Sequence, residues 1–205
     1  MIDGVKIVLE LFFFTTIFSI PLGIGIAFIR ISKNKVARSV TSLYIWIMRG
    51  SPLLLQMMFL YYGLPLLSDK LVFDRMPIAI IAFSINYAAY YAEIFRSGLE
   101  SIDKGQFEAA QVLGFDKLTM YKRIILPQVI KRVLPPISNE FITLVKDTSL
   151  VYILGLNDLL RIATAASNRE ASLMPFVYAA VIYLVMTAIL TKLLSIVEKK
   201  YSYYI

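Results

Sequence analysis

Glu140, Thr143 and Asp147 stand at i, i+3 and i+7 in a stretch, 134–156, that is otherwise apolar enough to lie in a bilayer. On a helix these three share one face, and Asn139, Thr143 and Lys146 fall on the neighbouring stripe. Ionisable groups at membrane depth are costly, so they face a bundle interior and often mark the path of a polar solute. The chemistry on offer is binding: carboxylates for cations, an ammonium for an anion, and amide and hydroxyl groups for orientation. One pairing stays open. If Lys146 pairs with Asp147, the two form a structural contact at the outer end of the span, and Glu140 is left as a free carboxylate.

Bond-breaking chemistry has few residues to run on. The chain has no cysteine and no histidine, which removes disulfides, thiol chemistry, His-ligated metals and any Ser–His or Cys–His nucleophile pair. No Gly-x-Ser-x-Gly or Gly-x-Gly-Asp pattern supplies an intramembrane protease. No Walker A pattern supplies a phosphate-binding loop. The expectation is no catalytic residue and no metal site.

The elements that position these residues are hydrophobic spans. The 205 residues are 59% hydrophobic, with a mean hydropathy of +0.72, against ~45–50% apolar in a soluble domain. The fold class is all-α membrane protein, one domain over 1–205 with about five transmembrane helices. The stretch 7–29 is long enough, at ~1.5 Å per residue, to cross a ~30 Å hydrocarbon core. It is longer than a signal-peptide core and lacks a cleavage site; Pro21 and Gly23 are expected to bend it. A segment with Tyr44 and Trp46 reads as interfacial. Arg49-Gly50-Ser51-Pro52 then turns into a second span, 53–67, with Ser51 as N-cap and an interruption at Gly63 and Pro65. The third, 76–95, carries Asn86, Tyr87, Tyr90 and Tyr91, which either line a cavity or bond neighbouring helices. Pro135-Pro136 opens the fourth, 134–156, and the fifth covers 175–197.

Between the third and fourth spans lies a polar, amphipathic island, 96–132. Asp103 with Gln106 resembles a capping box, Gly114 can end a first short helix and Asp116 can cap a second. Lysine and arginine counts orient the chain. One set of segments (30–49, 96–132 and 192–200) holds fifteen, the other six. The fifteen belong in the cytoplasm, so the N-terminus is expected outside and the C-terminus and the island inside. That placement accounts for the net charge of +7 without nucleic acid.

Glu108-Ala109-Ala110, then Gly114, then Ile124-Ile125-Leu126-Pro127 resembles the EAA motif of ATP-binding-cassette (ABC) importer permeases. Arg49-Gly50-Ser51-Pro52-Leu53-Leu54, Tyr91-Ala92-Glu93-Ile94-Phe95-Arg96-Ser97-Gly98 and Lys146-Asp147-Thr148-Ser149-Leu150 are similar to segments of the polar amino acid uptake subfamily. The likeness covers roughly 49–160. It implies a type I ABC importer permease fold in the cell (inner or cytoplasmic) membrane. It implies as partners two copies of an ABC ATPase, an extracytoplasmic substrate-binding protein, and a second permease subunit, either a homodimer partner or a close paralogue. No cofactor is then expected in this chain; ATP and Mg belong to the ATPase. The EAA loop would be a coupling helix seated in the ATPase. Ala109 and Ala110 would allow close entry, Gly114 the corner, and Phe107 and Leu113 an anchor. Glu108 would either pair with a basic group of the ATPase or cap its own loop. Asn139, Glu140, Thr143 and Asp147 are the candidate substrate contacts, suited to a zwitterionic amino acid, with a free Glu140 favouring a cationic side chain. An ATPase-independent channel or secondary transporter and a scaffold are the competing readings. The first leaves the folded loop unexplained, and the second leaves Glu140 unexplained.

Overall fold

The computed structural model describes residues 1–201, and every regular element among them is helical. α1 (Ile2–Arg30) runs without a break through Pro21. Its buried residues are Gly4, Val8, Leu11, Thr15, Ser19, Gly23 and Ala27, one stripe at steps of three and four. Small residues on such a stripe let backbones approach closely, which is how helices associate where lipid removes the hydrophobic drive. Gly23 shows the effect directly: a Cβ there would stand 2.6 Å from Cβ of Tyr91 and 3.0 Å from the Ala88 carbonyl. Gly23 is therefore a contact point for α4 (Arg75–Glu100), and α1 continues helically past it.

α4 is the axis of the bundle. Ala79, Ala82, Phe83, Tyr87 and Tyr91 on it pack with Leu11 of α1, Met57, Leu144 and Val151 in the main core. At its far end Gly98 meets Val133, whose Cγ1 leaves no room for a Cβ there. α2 (Lys35–Gly50) and α3 (Leu53–Leu67) are bent by 105° about Gly50–Pro52. α2 is not only interfacial: Ile45 is buried against Ala89 and Ala92, and the Tyr44 hydroxyl donates to the Ile85 carbonyl. Ser51 ends α2 and does not cap α3, whose N-cap is Pro52. Gly63 and Pro65 do not interrupt α3, because a π-turn over Phe59–Gly63 absorbs them.

α5 (Lys104–Val112) is short and ends at Gly114, whose φ of 75° is left-handed. α6 (Lys117–Leu154) then begins at the Asp116 cap, runs through Pro135 and Pro136, and tightens to 3-10 over Thr148–Leu154. The island's second helix is thus the first turns of the fourth span, and Pro135-Pro136 does not open that span. The π-turns share a cause. Pro65 and Pro127 lack an N–H and crowd the carbonyl four residues back, at Tyr61 and Arg123, and each of those lies inside a π-turn. α7 (Leu159–Glu170) is bent 57° from α6, and α8 (Met174–Tyr201) closes the described chain. α1, α4 and α8 are each long and apolar enough to cross a membrane, and counting each bent pair as one span makes five. In the most apolar stretch of α4 61% of the residues are buried, and in that of α8 none is, so that stretch of α8 leaves apolar surface for lipid or a partner, while Pro175 and Ala179 near its start are buried. Residues 202–205, with the C-terminus, lie outside the described residues.

Candidate functional site

A cavity of about 600 Å³ opens at the Gly50–Pro52 break, bounded by α2, α3, α4 and α6. A break in mid-bundle leaves carbonyls without helical partners, tolerable only where the backbone is buried in protein or lines a cavity. Side-chain amides claim them here. Asn86 Nδ2 donates to the Met48 carbonyl and to Gln56 Oε1, both at 2.9 Å. Gln56 Nε2 reaches Met48 O at 3.0 Å, Ser51 O at 3.1 Å and Ser51 Oγ at 2.8 Å. The Ser51 hydroxyl donates back to Ile47 O at 2.8 Å. This network fixes the mouth of the cavity.

Three of the four expected substrate contacts line that cavity: Glu140, Thr143 and Asp147. Asn139 does not; it is exposed on the outer surface of α6, as is Lys146 seven residues on. Lys146 and Asp147 are therefore not an ion pair, since adjacent helical residues point to different faces. Asp147 instead accepts from the Tyr87 hydroxyl at 2.8 Å. Among the tyrosines of α4, Tyr87 and Tyr90 line the cavity, while Tyr91 is fully buried with its hydroxyl unpartnered. Asn86 both lines the cavity and bonds the neighbouring helix.

Arg49 completes the site. Its guanidinium lies over the Tyr90 ring, 5.1 Å from the centroid, in the same cavity as the two carboxylates. The expectation had set it among the cytoplasmic cations. The missed signal was continuity: 35–67 is one apolar stretch with a break at Gly50-Ser51-Pro52, which puts Arg49 at depth. Without it the charge count is fourteen against six, with the same bias.

The island forms a second site with a different character. Ala110 is 1% exposed, and with Met120 and Ile125 it belongs to the chain's own second core, so it is not free to enter a partner. Phe107 packs edge-on to Tyr121 at 6.1 Å and is half-buried. Gln128 Nε2 donates to Gln106 Oε1 at 3.2 Å, and Arg132 donates to the Ser101 carbonyl; both bonds tie the loop to α6. Gln106 thus leaves the capping box half-made, with Asp103 accepting from the Gly105 N–H. Glu108 and Ala109 are exposed. Glu108 makes no hydrogen bond or ion pair among the described residues, so it does not cap its own loop. Leu113 is exposed, and sequence reasoning missed its neighbours: Val112 at 87% and Leu118 at 62% exposure make one apolar ridge with it across the corner. Exposed apolar residues in a polar loop mark a docking surface.

Comparison with known proteins identifies the family. Residues 19–203 match the family described as "Binding-protein-dependent transport system inner membrane component". The arginine transport system permease protein ArtQ of Bacillus subtilis (strain 168) is 38% identical over 98% of this chain and 91% of its own length. The putative glutamine transport system permease protein GlnP of Rickettsia bellii (strain RML369-C) is 34% identical over 98% and 92%. The crystal structure of an amino acid ABC transporter with histidines superposes with a TM-score of 0.88, at 36% identity over 97% of this chain and 92% of that one. The MetNI methionine ABC transporter, at 16% identity and a TM-score of 0.75, shares the fold. The chain belongs to the binding-protein-dependent inner membrane component family: it is the membrane-embedded permease subunit of an ABC importer, with ATP hydrolysis carried by a separate subunit.

Proposed function

We propose that this permease carries an amino acid, with a cationic side chain preferred, through the cavity at the Gly50–Pro52 break. The observation that carries this reading is the charge arrangement: one guanidinium, Arg49 of α2, and two carboxylates, Glu140 and Asp147 of α6, line one cavity. A zwitterion places its carboxylate on Arg49 and its ammonium on a carboxylate. The second carboxylate then has no cationic partner unless the substrate brings another cation. Thr143 and Tyr90 complete the lining. A volume of about 600 Å³ lies within the usual range for small-molecule sites. The arginine transport protein ArtQ supports the cationic preference, and the glutamine relatives mark the alternative.

Motion reaches the cavity from the island. The ridge of Val112, Leu113 and Leu118, with Glu108 and Ala109, seats in an ATPase; a pair of ATPases, holding ATP and its Mg ion, drives two permeases. The exposed stripe of Asn139 and Lys146 on α6 faces the second permease, whether an identical copy or a close paralogue, because a polar stripe at membrane depth is costly against lipid. The N-terminus lies outside, where a binding protein delivers substrate, and the island lies in the cytoplasm. Binding energy at the ATPase then shifts the balance of inward- and outward-open states.

The test is uptake by the complete transporter in vesicles, with labelled arginine and labelled glutamine. Glu140→Gln removes one charged contact, so arginine uptake falls about tenfold or more, with glutamine uptake far less affected. Equal loss for both, or none, rejects the cationic preference.

A further inference from the structure

Two cavities that the transport path does not use run into one another where α1 ends. The first, about 680 Å³, has almost wholly apolar walls, among them Ile24 and Phe28 of α1, Leu99 of α4, and Leu126 and Ile130 of α6. The second, about 510 Å³, shares Ile31 and Leu99 with it and adds Arg30, Arg38, Lys104 and Glu100. Glu100 is already paired with Arg96. Arg30, Arg38 and Lys104 form no ion pair among the described residues, and Nε of Arg30 is a buried donor with no partner. That nitrogen is enclosed by the chain itself, and the accessible charge of the three side chains is what an anion from outside would meet.

Position narrows what that acceptor is. Ile24 to Ile31 cover the last two turns of an apolar helix that stops at Arg30, which is where a bilayer passes from hydrocarbon to headgroups. The apolar groove runs from the end of α1 to the first turns of α6, where Lys117, Leu118 and Tyr121 join its lining, and the three cations lie beside it. A free anion uses only the second, and an apolar solute only the first. We propose that the pair of cavities binds an anionic phospholipid, an acyl chain against Phe28, Leu126 and Ile130 and the phosphate on Arg30, Arg38 and Lys104. Lys104 is the first residue of α5, so the lipid bridges the α1–α2 turn to the island. Lipid composition then bears on the loop that meets the ATPase.

The permease–ATPase complex, titrated in detergent with phosphatidylglycerol and with phosphatidylcholine, tests this, with retained lipid counted by native mass spectrometry. Phosphatidylglycerol is retained in preference. Arg38→Gln with Lys104→Gln, both exposed and unpaired, lowers that preference about fivefold for each charge removed. Ile130→Trp fills the groove and lowers retention while leaving the cations in place. Equal retention of the two lipids overturns the proposal, and so does retention indifferent to the charge pair. Displacement of the lipid by inorganic phosphate alone, with Ile130→Trp silent, shows a simple anion site and overturns it too.

Discussion

Two of the breaks between helices, at Gly50–Pro52 and at Gly114, are built in opposite ways. At Gly50–Pro52 the backbone turns at the rim of the cavity, and the side chains of Asn86, Gln56 and Ser51 satisfy the carbonyls it frees. At Gly114 the corner is closed by its own backbone: a φ of 75°, with the Gly114 N–H donating to Gln111 O and the Phe115 N–H to Ala110 O. The first is determined by its neighbours, so it can hold a guanidinium and two carboxylates in fixed relation. The second is determined by local backbone geometry, and its side chains, Val112, Leu113 and Leu118, are left exposed for another protein. A substrate site needs preorganised geometry, and a motor contact needs a surface that something else completes.

The largest expected effect lies at the break that side chains hold. Asn86→Leu keeps the volume of the side chain but withdraws the donor shared by Met48 O and Gln56 Oε1. Met48 O keeps the Gln56 Nε2 donor, so one acceptor, Gln56 Oε1, is left without a partner, and the purified complex loses about 1–3 kcal/mol, read as a lower unfolding temperature. Substrate binding falls in parallel, because the walls carrying Arg49 and Tyr90 are no longer held. Unchanged stability with unchanged uptake would mean that water or lipid replaces the amide, and that the break is as open as the corner.

Gly114→Val comes next. A β-branched residue at positive φ costs ~1–2 kcal/mol of local strain, and nothing around Gly114 adds a clash. The protein therefore inserts and folds, while ATP hydrolysis runs with little coupled uptake. Full coupled transport in this variant would show that the corner is not what the ATPase reads.

The two interruptions were unequally legible in the sequence, for a physical reason. Gly114 stands between a run that Gly can end and an aspartate that can cap, so local turn chemistry located the corner to the residue. Ser51-Pro52 gave an equally local signal of a turn, but its depth is a tertiary fact. Nothing within ten residues says that Asn86 and Gln56 will meet there, and Arg49 reads as an interfacial cation until they do. The same limit misplaced Asn139. The i, i+3, i+7 rule set Glu140, Thr143 and Asp147 on one face correctly, but it could not say that the neighbouring stripe looks outward. Pro135-Pro136 misled in the other direction: local rules make proline a helix breaker, while a long packed helix carries both.

Leu113→Ser probes the exposed side of the comparison with little effect on the fold, since Leu113 is 72% exposed and touches neither core of the bundle. Its unfolding temperature stays within the scatter of the parent, yet the affinity of the ATPase for the permease falls, read by co-purification at graded detergent. A clear drop in stability would instead make the ridge part of the fold.

The smallest effect belongs to the residue that starts α6 just after the corner. Asp116 accepts from the Leu118 and Thr119 N–H groups at 3.1 and 3.3 Å. Hydrogen bonding from Thr119, first its hydroxyl and then its backbone, holds the Asp116 carboxyl below the usual aspartate range. The sign follows from that direction. A carboxyl whose folded pKa is depressed contributes stability above its unfolded value, and the contribution is lost as pH falls through the folded one. Coupling should therefore be indifferent to Asp116 across the neutral range, and any loosening of the first turn of α6 should appear only in strong acid. Asp116→Asn keeps an oxygen for both N–H groups, and Asp116→Ala keeps none. Coupled uptake that falls slightly for alanine and not for asparagine locates the function of Asp116 in the cap. A loss with asparagine as well would place the charge itself against the ATPase, and the corner would then be read electrostatically as well as by shape.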